Sequence, residues 1–331
     1  MIKVPIYIFK HQEAEKFFTY LTSIGEKRPK HSAYVYSKTV DNFLEWCEKR
    51  KIDYKNLTEM DLEDYYDSLR TQLNYSDRTL ANKAFAIQLF LSKIRPFGMQ
   101  RLELPKPRYV IQKIPYLNFD MIKKIISGSV PLSVAYDLAL RVGEVPLLRL
   151  SKTNFDTGII EVQRLKQKRV KRTFLMKLSP EVLEMLKNYI HGDRDRDLNR
   201  YYNREWTKLT KSLRTIDNLS GTNIVSQNRV MTEKTEILKS MKELRENLND
   251  ILLPFTVFQL QAEFKSRCQS LGLEGYTFHA LRHSRITNKA LEMLKEKGVI
   301  DLISLKEFAG HNTSKTTEIY IHLAEEIFSG K

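Results

Sequence analysis

The chain has 331 residues, 42% of them hydrophobic, and 55 Lys and Arg against 40 Asp and Glu give a net charge of +15. This length allows two domains with separate cores, and the hydrophobic content excludes general disorder. No apolar run approaches the roughly 20 residues of a membrane helix, and the N-terminal apolar run is too short for a secretory signal. The only cysteines, Cys47 and Cys268, are too far apart in sequence to suggest a disulfide framework or a thiolate zinc site. We expect a soluble cytoplasmic protein.

The positive charge favours a polyanionic partner, because each phosphate that Lys or Arg neutralises releases condensed counterions. A solvated basic surface is the alternative, since abundant Lys and Glu also accompany thermophily.

Residues 1–104 are predicted to form an all-helical N-terminal domain. Apolar residues recur at helical spacing in HQEAEKFFTYLTSI, SAYVYSKTVDNFLEWCEKR, TEMDLEDYYDSLRTQL and SDRTLANKAFAIQLFLSKIR. Thr58, with Asp61 three residues later, and Ser76 are start signals for the last two helices. Three prolines among basic residues then predict an extended linker over residues 105–117.

The second domain, 118–331, is predicted to be α+β. Asn118 is a candidate N-cap, and a helix is expected through VAYDLALRVGEVPLL. IIEV and RTFLM flank a basic turn and predict a β-hairpin, and Pro180 begins the helix after it. The polar residues 192–253 predict an inserted helical hairpin, with a partly ordered linker as the alternative. Helical patterns then return, and Gly310 ends one of them. The fold class is therefore mainly α with a small β-hairpin or sheet.

The stretch GYTFHALRHSR places two histidines and two arginines within seven residues. His279 and His283, four residues apart, could share a helical face as in HExxH zinc sites, but Ala280 stands where that motif has its glutamate. A second interpretation is a basic surface turn in which His279 caps a helix. A third is a phosphate site, and other parts of the chain favour it.

An arginine inside the apolar segment LALRVGEV, Arg141, requires an anion or Glu144 as a partner. Near the C-terminus His311 follows a helix end, and Tyr320 follows nine residues later. Such residues, with a lysine from the basic hairpin, are what metal-free cleavage of a phosphodiester requires. Arginines can hold the non-bridging oxygens, a tyrosine can attack phosphorus, and lysine or histidine can move protons.

The order LALRVGE, basic hairpin, FHALRHS and AGHNTSKTTEIY resembles the tyrosine recombinases, or phage-integrase family, including Xer-type recombinases and integrases of archaeal viruses and plasmids. The resemblance implies a two-domain clamp with a helical core-binding domain and an α+β catalytic domain. Two departures are that Leu-Ala-Leu replaces the usual Thr-Gly pattern before Arg141 and that the hairpin has no Gly-Lys-Gly turn.

The resemblance also assigns roles. Tyr320 would be the nucleophile, forming a 3′-phosphotyrosyl bond and freeing a 5′-hydroxyl. Arg141 and Arg282 would clamp the scissile phosphate, His311 would donate to its developing charge, and His279 would act as base toward the tyrosine hydroxyl.

By the same resemblance Lys166, with Lys168 as the alternative, would protonate the leaving 5′-oxygen, and Glu144 would orient Arg141. No metal and no cofactor are expected. Further candidates for DNA contact are Lys83, Arg169, Lys171 and Arg172.

The resemblance implies a site-specific recombinase, most simply the integrase of a mobile element such as a virus or plasmid. Its partner would be double-stranded DNA at attachment sites. The protein would form a homotetramer on DNA, and in free solution a monomer is possible. It would act on DNA in the host cytoplasm. Two alternatives stay open: a type IB-like topoisomerase that works as a monomer, and a non-catalytic DNA-binding protein with the same fold.

Overall fold

The computed structural model describes residues 7–24, 29–94, 114–165, 173–220 and 227–330. The chain folds into two compact units. The N-terminal unit comprises Val4–Ile111 and Lys211–Ile237, and the C-terminal unit comprises Gln112–Thr210 and Leu238–Lys331. Within the described ranges, no helix has the length and apolar character needed to cross a membrane.

The N-terminal unit is helical, as predicted. Its first four helices are α1 (Gln12–Thr19), which runs into a π-helical turn, α2 (Lys30–Arg50), α3 (Glu59–Leu73) and α4 (Asp77–Ile94). The predicted start of α3 is confirmed, because Thr58 and Asp61 form a reciprocal capping box. Phe43, Leu62 and Ile87 lie in the hydrophobic core of the N-terminal unit, each almost fully buried.

The insertion forms two long helices, α8 (Arg194–Leu219) and α9 (Gln227–Asn247). The structure therefore has two helices in the segment for which an inserted helical hairpin was predicted. At its base the buried Arg194 donates to the carbonyl oxygens of Asn249 and Ile251, at 2.5 and 2.7 Å. The hairpin is divided between the units, since Lys211–Ile237 lies in the N-terminal unit. The predicted boundaries assigned all of it to residues 118–331.

A buried ionic group, the Arg229 cluster, joins α9 to the rest of the N-terminal unit. Arg229 on α9 donates to a carboxylate oxygen of Glu15 and to the carbonyl of Tyr7. Its guanidinium also lies 4.7 Å from the ring centroid of Phe18. Glu233, one turn further along α9, is 2% exposed, and its carboxylate lies 3.8 Å from the guanidinium. Arg229 therefore compensates two buried carboxylates.

The C-terminal unit places its remaining helices around a small sheet. They are α5 (Phe119–Ile126), α6 (Val130–Asp137), α7 (Pro180–His191), α10 (Val257–Ser270), α11 (His279–Lys297), α12 (Leu302–Ala309) and α13 (Ser314–Phe328). Asn118 caps α5 by accepting from the Met121 amide, and Pro180 occupies the first turn of α7, as predicted.

The predicted β-hairpin is confirmed. Strand β2 (Ile159–Gln163) pairs antiparallel with β3 (Thr173–Lys177), with Ile160 opposite Met176. A two-residue strand, β1 (Thr153–Asn154), adds to the other edge of β2. Ile160 and Val162 point into the main core of the unit, and the alternate residues of β2 are partly exposed, as expected for a sheet with one covered face.

The single helix predicted through VAYDLALRVGEVPLL is wrong. Helix α6 ends at Asp137, and Ala139 has a φ of +47°, which interrupts the helical backbone. A short 3-10 turn, Val145–Leu147, follows, and Pro146 within it disfavours an α-helical residue before it. Arg141 therefore lies in a turn between these elements. The carbonyls of Leu138 and Ala139 are left free of the helix and accept from arginines instead.

Candidate active site

Glu144 organises the first part of the site. Its carboxylate, 1% exposed, accepts from the Arg141 amide and guanidinium, both at 2.9 Å. It also accepts from the Arg164 guanidinium at 2.9 Å and from the Leu165 amide at 3.0 Å. Burial acts to raise the pKa of Glu144, but Arg164 and Arg141 outweigh it and hold the pKa below its usual value. Glu144 is therefore ionised and fixes the Arg141 side chain.

Arg164 ties this turn to the end of α12. Its guanidinium, almost fully buried, donates to the carbonyl oxygens of Leu138, Ala139 and Phe308 as well as to Glu144. Phe308 lies near the C-terminal end of α12, two residues before the left-handed Gly310. One buried side chain thus holds the Arg141 turn and the His311 turn together.

Arg282 is the most buried cation of the site, with 1% exposure. It lies on the first turn of α11 and donates to the carbonyl oxygens of Ala139 and Ala309. Burial, aided by the positive charges of Arg141 and Arg164, lowers the pKa of Arg282 to about 9. A guanidinium has five N–H donors, so two carbonyls do not satisfy it. Three clustered arginines with one carboxylate favour an added anion.

The phenol of Tyr320 lies between two histidines. Its hydroxyl is 2.7 Å from Nδ1 of His283, and the two rings are stacked at 5.6 Å between centroids. The ring of His311 lies at the same centroid distance from Tyr320. Tyr320 is 4% exposed. Burial raises the pKa of its hydroxyl, while Arg282 and Arg141 act in the opposite direction.

The turn between α12 and α13 positions His311. Gly310 ends α12, as predicted, and its backbone is left-handed. The His311 ring forms a hydrogen bond with Thr317 on α13 at 3.0 Å. Burial and the positive charge of Arg282 lower the pKa of His311 to about 3. Burial also lowers the pKa of His283, to about 4, with His279 and Arg282 adding to the effect. Both imidazoles are neutral at pH 7.

Five of the predicted site residues come together. Arg141, Glu144, Arg282, His311 and Tyr320 form one electrostatically coupled group in the C-terminal unit.

Of the other predicted site residues, the structure describes two, His279 and Lys83. His279 is exposed, and its ring meets the His283 ring edge-on at 4.8 Å. Lys83 lies on α4 in the N-terminal unit, with its ammonium 4.9 Å from the Tyr75 ring centroid. The hairpin residues Lys166, Lys168, Arg169, Lys171 and Arg172 lie outside the described residues.

Sequence reasoning missed two members of the site, Arg164 and His283. Arg164 carried a usable signal: it continues the inward-facing positions of Ile160 and Val162 one residue beyond β2, so strand alternation places it in the core. For His283 the sequence pattern suggests only a metal-ligand role. In the part of the chain that the structure describes, no group of three His, Cys, Asp or Glu side chains is placed to hold a metal ion.

Gly310→Ala is expected to destabilise the protein by more than the backbone cost of a left-handed alanine, about 1–2 kcal/mol. A β-carbon at this position would lie 3.0 Å from Nε of the buried Arg164, which cannot easily move. Chemical unfolding of the purified variant measures the loss.

Gly298→Ala is the matched control. Gly298 also follows a helix in the left-handed conformation, with a φ of +71°, but a β-carbon there meets nothing within 4 Å. Equal losses at the two positions would show that the contact with Arg164 has no energetic consequence.

Comparison with known proteins agrees with this geometry. The chain matches the phage integrase family over residues 119–326 and the N-terminal SAM-like domain of phage integrases over residues 14–95. No match to a curated protein sequence was found.

Solved structures show the same fold. A Tn1549 transposon integrase in complex with transposon right end DNA is 12% identical, with a TM-score of 0.54, covering 96% of this chain and 99% of that chain. A lambda integrase dimer bound to a core site is 13% identical, with a TM-score of 0.51, covering 93% and 97%. A lambda integrase tetramer bound to a Holliday junction is 13% identical, with a TM-score of 0.50, covering 92% and 77%.

The family match spans well over half of the chain, and the residues that it covers include Arg141, Arg282, the two histidines that flank the phenol, and the phenol itself. The chain therefore belongs to the phage integrase family and is a tyrosine recombinase.

Proposed function

We propose that this recombinase joins two double-stranded DNA sites through a covalent bond between Tyr320 and a 3′-phosphate, in order to integrate a mobile element. One observation carries the proposal: a buried phenol lies beside Arg282 and Arg141, with a histidine on each side. Arginines preorganised around an anion site stabilise the charge that develops on phosphorus oxygens. A neighbouring phenol oxygen is then a suitable nucleophile.

Each residue of the site has a proposed role. Arg141, oriented by Glu144, and Arg282 hold the two non-bridging oxygens of the scissile phosphate. His311, neutral and fixed by Thr317, donates a hydrogen bond to the same phosphate as its charge grows.

Two protons must move during cleavage. The phenol proton leaves toward the histidine pair of α11, His279 and His283. The leaving 5′-oxygen receives a proton from a lysine of the basic hairpin, for which Lys166 is our first candidate and Lys168 the second. The 3′-phosphotyrosyl bond retains the energy of the broken phosphodiester, so rejoining to another 5′-hydroxyl requires no nucleotide cofactor.

Exchange of strands between two duplexes requires several protomers. The lambda integrase in one of the similar structures is a tetramer on a Holliday junction, and we propose a tetramer on DNA for this chain as well. The segment after Tyr320, with Ile321, Ile327 and Phe328 among its apolar residues, would dock on a neighbouring protomer. The relatives from a transposon and from lambda favour integration of a mobile element, which would take place on DNA in the cytoplasm of the host cell.

Covalent capture tests the proposal. Wild-type protein is incubated in EDTA with a library of duplexes that carry a nick near each possible cleavage position, so that the released strand diffuses away. A protein–DNA adduct that resists denaturant is expected for the wild type and absent for Tyr320→Phe, which keeps the ring but lacks the nucleophilic oxygen. Sequencing the captured DNA identifies the target site.

The captured site then distinguishes recombination from supercoil relaxation. Two labelled duplexes that carry the site are expected to yield joint molecules with the wild type. An adduct that persists in Tyr320→Phe would refute the assigned nucleophile. Relaxation of supercoils by a monomer, with no joint molecules, would refute the assigned reaction.

A further inference from the structure

We propose that His283 is the catalytic residue that accepts the proton of the Tyr320 hydroxyl, and that His279 acts through it. This inference rests on the proposed function, since it assigns a step of that reaction. It differs from the expectation drawn from the family resemblance, in which His279 is the base.

The geometry distinguishes the two histidines. Nδ1 of His283 lies 2.7 Å from the Tyr320 hydroxyl oxygen, within the range of a hydrogen bond to the reacting atom. His279, the first residue of α11, is exposed, and its ring contacts the ring of His283 edge-on. One helical turn separates the two residues, so the exposed imidazole of His279 lies beside the half-buried imidazole of His283.

The hydrogen bond fixes a tautomer for the step. If the phenol donates to Nδ1, neutral His283 carries its proton on Nε2. During cleavage the O–H bond of Tyr320 breaks and its proton passes to Nδ1, giving an imidazolium. The phenol oxygen bonds to phosphorus, the bond from phosphorus to the 5′-oxygen breaks, and that oxygen takes a proton from the hairpin lysine. Rejoining reverses each transfer, and His283 returns its proton to the phenolate.

Electrostatics couple this base to the substrate. The groups that face His283 are His279 and Arg282 from its own helix, Tyr320 from α13 and His311 from the turn before it. In the DNA-free protein, burial and the neighbouring positive charge hold the pKa of His283 to about 4, which keeps it neutral and able to accept. A scissile phosphate between the arginines would offset their charge and make His283 a stronger base. The base would therefore gain strength when DNA is bound.

His283→Asn is the variant that separates a base from a hydrogen-bond partner, because the asparagine amide can occupy the position of Nδ1 but cannot take up a proton. The rate of adduct formation is measured on the captured site with two substrates. One has the normal 5′-oxygen at the scissile bond, and the other has sulfur there, a leaving group that requires no proton donor.

His283→Asn is expected to form the adduct about 10²–10⁴-fold more slowly than the wild type on both substrates, the range typical for loss of a general base. Its deficit should shrink as the pH rises from 7 toward 10, because the phenol then ionises without help. Lys166→Ala, in contrast, should be slow on the oxygen substrate only. His191→Asn, the same change at an exposed histidine at the end of α7, should match the wild type.

A folding defect in His283→Asn would appear in its melting curve, and in that case the slow rate is tested with His283→Ala and free imidazole. Restoration of adduct formation by imidazole supports a proton acceptor at this position. An adduct rate within threefold of wild type on both substrates overturns the inference, as does a sulfur-substrate defect in His279→Asn that His283→Asn does not share. Either result leaves the proposed function intact, since loss of the adduct in Tyr320→Phe tests that separately.

Discussion

Arg141→Ala is expected to slow adduct formation by about 10²–10³-fold, the usual loss for one preorganised donor, while the melting temperature stays close to wild type. The side chain is 19% exposed, and among the described residues its one ion pair is with Glu144. Without Arg141, that carboxylate keeps Arg164 and the Leu165 amide as donors. The loss also removes a repulsion, since the positive charge of Arg141 lowers the pKa of Arg282.

Arg282→Ala should show a different pattern, with loss of adduct formation and loss of stability together. Its guanidinium is buried, and its removal leaves the Ala309 carbonyl without this donor and a cavity behind. An unsatisfied buried polar group costs about 1–3 kcal/mol, and each kcal/mol lowers the melting temperature of a unit of this size by about 2–4 °C.

Arg267→Ala is the control for charge. This arginine on α10 pairs with Glu263 at 3.1 Å and bonds two backbone carbonyls, but it lies outside the active site. The change removes one positive charge, as the two clamp variants do. Adduct formation by Arg141→Ala at the wild-type rate would contradict the proposed clamp, whatever the effect on stability.

Arg229→Ala is expected to destabilise the N-terminal unit by about 3–5 kcal/mol, the usual cost of removing one partner from a buried ion pair. The change leaves the carboxylates of Glu15 and Glu233 buried near each other without their shared cation. Lys30, 3.7 Å from Glu233, is the cation that remains among the described residues. Burial raises the pKa of Glu233 even in the intact cluster, where Lys30 and Arg229 act in the opposite direction, so loss of Arg229 should raise it further.

The two tryptophans of the chain allow this loss to be located. Trp46 lies in the N-terminal unit and Trp206 in the C-terminal unit, so Trp206→Phe leaves a fluorescence signal from the first and Trp46→Phe from the second. The unfolding midpoint seen by Trp46 should fall in Arg229→Ala.

Two further variants serve as controls for Arg229→Ala. Lys234→Ala, on the same helix, removes a surface pair with Asp217 of 2.7 Å in which both side chains are more than 40% exposed, and such pairs contribute about 0–1 kcal/mol. Adding Glu15→Gln to Arg229→Ala should recover part of the loss, because one uncompensated charge disappears. An unchanged midpoint for Arg229→Ala would show that α9 does not stabilise this unit.

Local signals predicted much of the fold because they act over a few residues. The capping box at Thr58, the cap at Asn118 and the left-handed glycine at position 310 each satisfy backbone groups within one turn, and the structure has all three. The helix predicted through Arg141 is wrong because Ala139 has a left-handed backbone conformation. The sequence does not mark Ala139, because the hydrogen bonds to its carbonyl come from Arg164 and Arg282, distant in the chain.

The candidate site was likewise predictable where local sequence signals suffice and not where long-range packing decides. Motif order identified the residues that would meet the phosphate, because their chemistry is recognisable one residue at a time. The contact between His283 and Tyr320 depends instead on how α11 and α13 pack, since the two residues are 37 positions apart in the sequence. The buried Arg164 likewise depends on tertiary structure, since its four oxygen acceptors come from two separate parts of the chain.

The N-terminal unit contains a segment that is synthesised late. Arg229 follows its partner Glu15 by 214 residues. Translation proceeds at about 5–20 residues per second and usually lets an N-terminal domain fold before the next one appears. Here α1 must wait for α9 to leave the ribosome before the buried carboxylate gains its cation. The nascent chain would therefore expose an incomplete first unit for on the order of ten seconds or more, an interval in which chaperone binding would have the most effect.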